Sequence, residues 1–205
     1  MSRLRSQRGY SLIEMLIVLS IMGVVMGALT TVFVQASNSE LDLNNRFQAQ
    51  QESRLALDKM RREVHCGSVA TPSGQSSSVT VTLASYCKTV PQPLPTPLPS
   101  YCSTVSGSTT CSVTWCTRSL GTNRYGLYRV TGSSCSGGVK WADHLVATAA
   151  APACSGALCV FNYHVQSSSS LAKLSVNFPV NIKSSKSVEL YDLSDDLVLL
   201  NSGRS

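Results

Sequence analysis

Three histidines are the residues that could act as general bases or metal ligands: His65, His144 and His164. They are scattered along the chain, and none lies in a G-x-S-x-G, H-E-x-x-H or glycine-rich phosphate-binding sequence. Each is expected to be a surface residue or a core residue with satisfied hydrogen bonds. We therefore predict that the chain is not an enzyme and needs no cofactor.

The chain has one acidic cluster, formed by Asp192, Asp195 and Asp196. Such a cluster could bind Ca²⁺, but that ion takes six or more oxygen ligands, and three carboxylates supply only part of the set. A turn or a helix N-cap before Leu197 explains the same residues. We favour the turn or cap and predict no metal site.

Eight cysteines could form disulfides or a zinc site, and all of them lie at or after residue 66. They are Cys66, Cys87, Cys102, Cys111, Cys116, Cys135, Cys154 and Cys159. They lack the paired C-x-x-C spacing of zinc sites, whereas an even number is typical of disulfides formed in an oxidising compartment. The N-terminal sequence indicates on which side of the membrane these cysteines lie.

An apolar stretch near the N-terminus is long enough to cross a membrane. No charged residue occurs from Met15 to Ser39, and the apolar residues 15–34 would form a helix of roughly 30 Å, the thickness of the hydrocarbon core. Arg3, Arg5 and Arg8 precede it, and the next basic residue is Arg46. The positive-inside rule then predicts a single pass of the cytoplasmic membrane with the N-terminus inside.

An ordinary signal peptide is the alternative, since Val34-Gln35-Ala36 satisfies the rule of small residues before a cleavage site. The apolar stretch is longer than the 7 to 15 residues of a usual signal peptide. Glu14 also lies just inside its edge, where a carboxylate costs about 2–3 kcal/mol and implies a partner. A membrane anchor with a functional acid is therefore favoured.

Residues 8–16, RGYSLIEML, resemble the cleavage and methylation signal of bacterial type IV pilins and type II secretion pseudopilins. This signal is a basic leader that ends in Gly, an aromatic residue, a small polar residue, an aliphatic pair, Glu and an apolar helix. Tyr10 stands where the family more often has Phe, and it keeps the aromatic ring. The match is position-specific and covers the chain securely only to about residue 65.

The resemblance implies that a prepilin peptidase cuts between Gly9 and Tyr10 and that the same enzyme class N-methylates Tyr10. Cleavage leaves an ammonium group on Tyr10, and Glu14 could neutralise the ammonium of a neighbouring subunit in a low-dielectric bundle. Pairing within one chain is the alternative, because positions four apart on a helix also meet. The implied partners are other pilin or pseudopilin subunits, the prepilin peptidase, the inner-membrane assembly platform and the cytoplasmic membrane.

An amphipathic helix is predicted to continue to about Val64. Its apolar residues are Leu43, Phe47, Leu57, Met60 and Val64. Charges of opposite sign four residues apart, such as Lys59 and Glu63, are expected to line a solvated face. Residues 50–64 also resemble the long helix of J-type minor pseudopilins and their pilus counterparts, which favours a minor subunit.

Short apolar and β-branched runs after His65 predict an antiparallel sheet packed on the helix, hence an α+β fold. The predicted strands are 79–84, 112–116, 125–130, 139–142, 145–148, 159–166, 171–178, 188–191 and 197–200. Alternating prolines in residues 91–99 favour a stiff surface loop over a docking ligand. The domains are then the leader 1–9, the transmembrane half-helix 10–36, the amphipathic helix 37–64 and the disulfide-rich extracytoplasmic β domain 65–205.

Two disulfides can be proposed from spacing. Cys154 would pair with Cys159 across a short turn, and Cys87 with Cys102 around the proline loop. Cys111 and Cys116 would be about 16 Å apart on one extended strand, so each needs another partner.

The function that we predict is that of a minor pilin or pseudopilin, a structural subunit of a type IV pilus or type II secretion pseudopilus. A surface adhesin or DNA-binding tip pilin is one alternative, and a secreted domain behind an ordinary signal peptide is another. Half of the net charge of +6 comes from Arg3, Arg5 and Arg8, so no nucleic-acid partner is predicted. After assembly the chain would be part of an extracytoplasmic filament.

Overall fold

The computed structural model describes residues 10–84, 87, 96–105, 108–183 and 190–202. The chain divides into two compact units, Met1–Asn45 and Arg46–Ser205. The predicted leader and residues 91–95 of the proline loop lie outside the described residues. The fold class is α+β, as predicted, with a long N-terminal helix and an antiparallel sheet.

Helix α1 is Leu12–Cys66, 55 residues that contain no proline and many good helix formers such as Leu, Met, Ala and Gln. The helix ends where Gly67 begins the first strand without an intervening loop. A Cβ atom at Gly67 would lie 2.5 Å from Cγ1 of Val81, so the close approach of the two segments requires glycine.

The part of α1 that belongs to the second unit buries one face against the sheet. The buried residues are Ala49, Ser53, Ala56, Leu57, Met60, Glu63 and Val64. Their spacing follows the helical period, and three of them belong to the predicted apolar stripe. Leu43 and Phe47, also assigned to that stripe, are 66% and 64% exposed. Small residues at positions 49, 53 and 56 make the buried face instead, since they let the helix approach the sheet closely.

The described residues contain twelve strands. They are β1 (Gly67–Thr71), β2 (Gly74–Ser76), β3 (Ser78–Ala84), β4 (Cys102–Val105), β5 (Ser108–Gly121), β6 (Arg124–Thr131), β7 (Val139–Leu145), β8 (Ala153–Cys154), β9 (Ala157–Leu158), β10 (Phe161–His164), β11 (Lys173–Val180) and β12 (Tyr191–Val198). Ten form one antiparallel sheet in the order β1-β3-β5-β6-β7-β11-β10-β2, with β4 beside β5 and β12 beside β11. β8 and β9 form a separate hairpin.

Most predicted strands overlap observed ones, and the differences have local causes. The separate strand at 145–148 is wrong, because β7 already ends at Leu145. Residues 192–196, assigned to a turn or cap, lie within β12. The pairing of β12 with β11 along its whole length overrides the low strand propensity of aspartate.

The pattern of buried and exposed side chains differs from strand to strand of the sheet. β11 alternates between half-buried and buried side chains up to Phe178, as expected for a sheet with one solvated face. β6 does not, because Tyr125, Gly126 and Leu127 are all buried. Gly138 lies against Val130 with a positive φ of 82°, so the segment after β6 folds back over that strand.

Glu63 is the buried charge that joins the helix to the centre of the sheet. Its carboxylate accepts hydrogen bonds from Trp115 Nε1 at 2.8 Å and from Arg129 Nε at 2.8 Å. The pair with Lys59 expected from the spacing is present at 3.5 Å. The expectation of a solvated face is wrong at this position, because the Glu63 side chain is 0% exposed. Three donors from α1, β5 and β6 compensate its loss of water.

All eight cysteines are paired. The disulfides are Cys66–Cys87, Cys102–Cys111, Cys116–Cys135 and Cys154–Cys159. The pairing of Cys154 with Cys159 is as predicted. Cys111 and Cys116 both lie on β5 and have different partners, as predicted for two cysteines on one extended strand. The pair Cys87–Cys102 is wrong, because Cys87 reaches the end of α1 and the register of β4 places Cys102 directly opposite Cys111.

Replacement of Glu63 by alanine is expected to lower the free energy of unfolding by about 3–5 kcal/mol, because Arg129 then lies largely buried without a carboxylate. The control is Asp58→Ala, which removes an exposed pair with Arg61 and should cost less than about 1 kcal/mol. Urea unfolding of the oxidised full chain in detergent, followed by the fluorescence of Trp115 and Trp141, measures both. Equal losses in the two variants would contradict a central role for Glu63.

Candidate functional site

The start of α1 holds the described residues of the predicted processing and assembly site. Tyr10 and Ser11 precede the helix, and Glu14 lies in its first turn. The backbone N–H of Ser11 donates to Glu14 Oε2 at 3.0 Å, which is one half of a capping box. The carboxylate thus lies where the positive end of the helix dipole stabilises it. Gly9 lies outside the described residues.

The apolar part of α1 is uncovered along its whole length. Of the residues that the structure describes, α1 is the one helix long and apolar enough to cross a membrane. The hydroxyls of Ser20, Thr30 and Thr31 each donate to a backbone carbonyl three or four residues earlier, at 2.8 Å. These hydroxyls therefore add no unsatisfied polar group to a surface suited to lipid or to other apolar helices.

The three histidines lie on separate elements. His65 is in the last turn of α1, and its buried Nδ1 has no hydrogen-bond partner among the described residues. His164 is an exposed residue at the end of β10. Burial lowers the pKa of His144 on β7, and the nearby charge of Arg124 lowers it further. The structure thus does not bring the three side chains together.

The three clustered aspartates project alternately to the two faces of β12. Asp195 lies opposite Val176 on the face that contacts α1, and it forms an ion pair with Arg61. Asp192 and Asp196 lie on the other face, where Asp196 accepts hydrogen bonds from Lys173 and Ser175. Three carboxylates arranged in this way do not converge on one ion. No group of three potential metal ligands was found in the described part of the chain.

Asp143 is the centre of a compact charged cluster at the end of β7. Its carboxylate accepts hydrogen bonds from Arg124 at 2.9 and 3.0 Å, from Lys140 at 2.8 Å and from the backbone N–H of His144 at 2.6 Å. Burial alone would raise the pKa of Asp143. The hydrogen bonds from Lys140 and Arg124 outweigh burial and lower the pKa to about 2.

Sequence reasoning missed the polar residues that the sheet gathers on its face opposite α1. Asn162, Ser175 and Asn177 lie in strand interiors, where asparagine is uncommon. That composition was the available signal, but it does not show which residues of other strands lie beside them.

Comparison with known proteins identifies a sequence motif near the N-terminus. A family model described as the prokaryotic N-terminal methylation motif matches residues 4–30. The chain therefore carries a type IV pilin-like prepilin signal, as predicted, and this motif belongs to proteins whose role is structural. Together with the apolar helix it indicates membrane anchoring, processing by prepilin peptidase and assembly with other pilins. Neither the curated proteins nor the solved structures gave a match.

Acidification should weaken the fold through Asp143. Its pKa is lowered from 3.8 to about 2 in the folded chain, so the unfolded chain binds this proton first as the pH falls. The contribution of the ionised Asp143 to the free energy of unfolding is complete above about pH 4. It is lost as the pH falls toward about 2, a change of roughly 1–2 kcal/mol. Urea unfolding at about pH 4.5 and about pH 2.5 should show a smaller difference for Asp143→Asn than for the unsubstituted chain.

The control for this measurement is Asp58→Asn on the exposed side of α1, which should leave the pH difference almost unchanged. An Asp143→Asn chain with the same pH difference as the unsubstituted chain would show that the Arg124–Lys140 cluster does not lower this pKa.

Proposed function

We propose that the chain is a minor pilin or pseudopilin, a structural subunit of a type IV pilus or of a type II secretion pseudopilus. It is cleaved between Gly9 and Tyr10, N-methylated at Tyr10, and assembled with other pilin-like subunits through the apolar part of α1. The observation that carries the proposal is the prepilin motif, whose Glu14 lies in the first turn of an uncovered apolar helix.

Glu14 has a physical role in this proposal. Cleavage would create an ammonium group on Tyr10, and an isolated charge is costly inside an apolar helix bundle. The carboxylate accepts one hydrogen bond, from Ser11, and a carboxylate offers about four acceptor positions. It therefore has acceptor capacity left for the ammonium of another subunit. Such a pair would set the axial stagger between neighbouring helices, because the Glu14 carboxylate and the Tyr10 ammonium of another subunit meet at only one axial offset of the two helices.

The proposed topology is a single pass with the N-terminus in the cytoplasm. It is supported by the three arginines before the apolar stretch and by the four disulfides, all of which follow it. In this proposal residues 10–36 form the transmembrane half of the helix and residues 37–64 its amphipathic half. Residues 65–205 form the extracytoplasmic β domain.

The assignment to the minor subunits is a further part of the proposal. It is supported by the resemblance of residues 50–64 to the J-type helix. In this segment Ala56, Leu57 and Met60 are buried and Arg61 binds Asp195. Minor rather than major status would appear as a low copy number relative to the other subunits in isolated filaments.

Processing can be tested on the protein from a host with a prepilin peptidase. Intact-mass analysis should give a mature chain that begins at N-methylated Tyr10, and Gly9→Val should block cleavage because the new side chain fills the scissile position. A mature chain that begins at Ser37 would instead identify an ordinary signal peptide. The accumulation of uncut protein only in the Gly9→Val variant separates a processing defect from degradation.

Assembly can be tested with Glu14→Gln, which keeps the size of the side chain and removes its charge. We expect this chain to be cleaved and inserted in the membrane but to be lost from sheared filaments by roughly tenfold or more, because the Tyr10 ammonium then lacks a carboxylate. The matched control is Glu40→Gln, an exposed glutamate on the same helix. Normal incorporation of Glu14→Gln would contradict the assembly role of this carboxylate.

A further inference from the structure

The sheet splits beside β11 and opens a cleft on the side of β7 and β10. β10 pairs with the first half of β11, and the last contact is the N–H of Asn177 donating to the carbonyl of Val160. β7 meets the same edge only at its end, where the N–H of Val146 donates to the carbonyl of Pro179. Between them the chain leaves the sheet and forms the β8–β9 hairpin. A cavity of about 530 Å³ lies at this split, within the size range of small-molecule sites.

Polar side chains from four strands line this cleft in a row. Asp196, Ser175, Asn162 and Gln75 lie opposite one another across β12, β11, β10 and β2. Ser194 and Asn177 form a second cross-strand pair beside the row. Neighbouring strands are about 4.8 Å apart, so the row presents amides, hydroxyls and a carboxylate at regular intervals.

The fold does not use all of these groups. Ser175 donates to Asp196, and Lys173 compensates the Asp196 charge. The side-chain oxygen of Asn177, in contrast, is sealed from solvent and has no hydrogen-bond partner among the described residues. An amide oxygen left without a hydrogen bond at a cavity wall is costly. A rotation of the terminal amide group of Asn177 would make this oxygen available to a bound molecule.

The lining restricts the class of ligand. Among the described residues that line it there is no lysine or arginine, and the carboxylate on this face of the sheet is that of Asp196, so an anionic ligand would not be stabilised. Amides and hydroxyls supply both donors and acceptors, while Ala150 and Val160 add small apolar surfaces. This combination suits a molecule that carries several neighbouring hydroxyl groups on an apolar ring.

We propose that this cleft binds a neutral saccharide through the polar row. The proposal goes beyond the assembly role and does not depend on it, because every residue involved lies in the second unit. Polar contacts dominate and polar ligands of this size bind weakly, so the dissociation constant is expected on the order of 0.1–1 mM.

The test uses the full chain in a detergent without a sugar headgroup. Saturation-transfer NMR and calorimetry would measure the binding of lactose, cellobiose, maltose and N,N′-diacetylchitobiose, with digalacturonate as the acidic probe. We expect at least one neutral disaccharide to bind and digalacturonate not to bind. The absence of binding by all four neutral probes at about 10 mM, or tighter binding of digalacturonate, would overturn the proposal.

A matched pair of double variants locates the binding. Asn162→Ala with Ser194→Ala removes one amide and one hydroxyl from the cleft, and affinity should fall by roughly tenfold or more. Gln166→Ala with Ser103→Ala removes the same groups from exposed positions outside it and should change affinity less than about twofold. Equal losses in both would place the saccharide elsewhere and overturn the proposal. Unchanged thermal unfolding of the two variants excludes an effect of misfolding.

Discussion

The buried carboxylate of Glu63 is the constraint on which the sheet-bearing unit depends. A charge without access to water is tolerated only with several donors in place, and here they come from the helix and from two central strands. A rotation of the helix, or a shift by one turn, would separate Glu63 from both Trp115 and Arg129. The ion pair therefore selects one packing of α1 on β5 and β6, whereas the apolar contacts around it would tolerate several.

The sequence predicts the elements of this fold better than their contacts. Helix periodicity correctly places Leu57 and Met60 in the core, and alternation correctly describes most of β11. The same periodicity assigns Glu63 to solvent, because a pair four residues apart looks alike on a buried and on an exposed face. Residues 192–196 were missed as a strand, since their acidic composition favours turns, whereas the pairing with the distant strand β11 stabilises them as a strand.

The prepilin motif and the cleft beside β11 also differ in how well the sequence predicts them. The prepilin motif is read by a peptidase as a continuous segment, so its residues are recognisable in the printed sequence without a structure. The cleft brings Gln75 of β2 beside Asn162 of β10, and β12 adds Asp196 from the other side of β11. No local pattern links positions so far apart in the chain, and long-range strand order is what the sequence alone specifies least.

The order of the disulfides has a consequence for export. Along the chain the first cysteine is joined to the second, the third to the fourth, the fifth to the sixth and the seventh to the eighth. In the proposed topology the chain is translocated from its N-terminal side, so the first thiol of each pair would meet its native partner as the next one to emerge. An oxidase that couples thiols in order of arrival would then produce the native set without a disulfide isomerase.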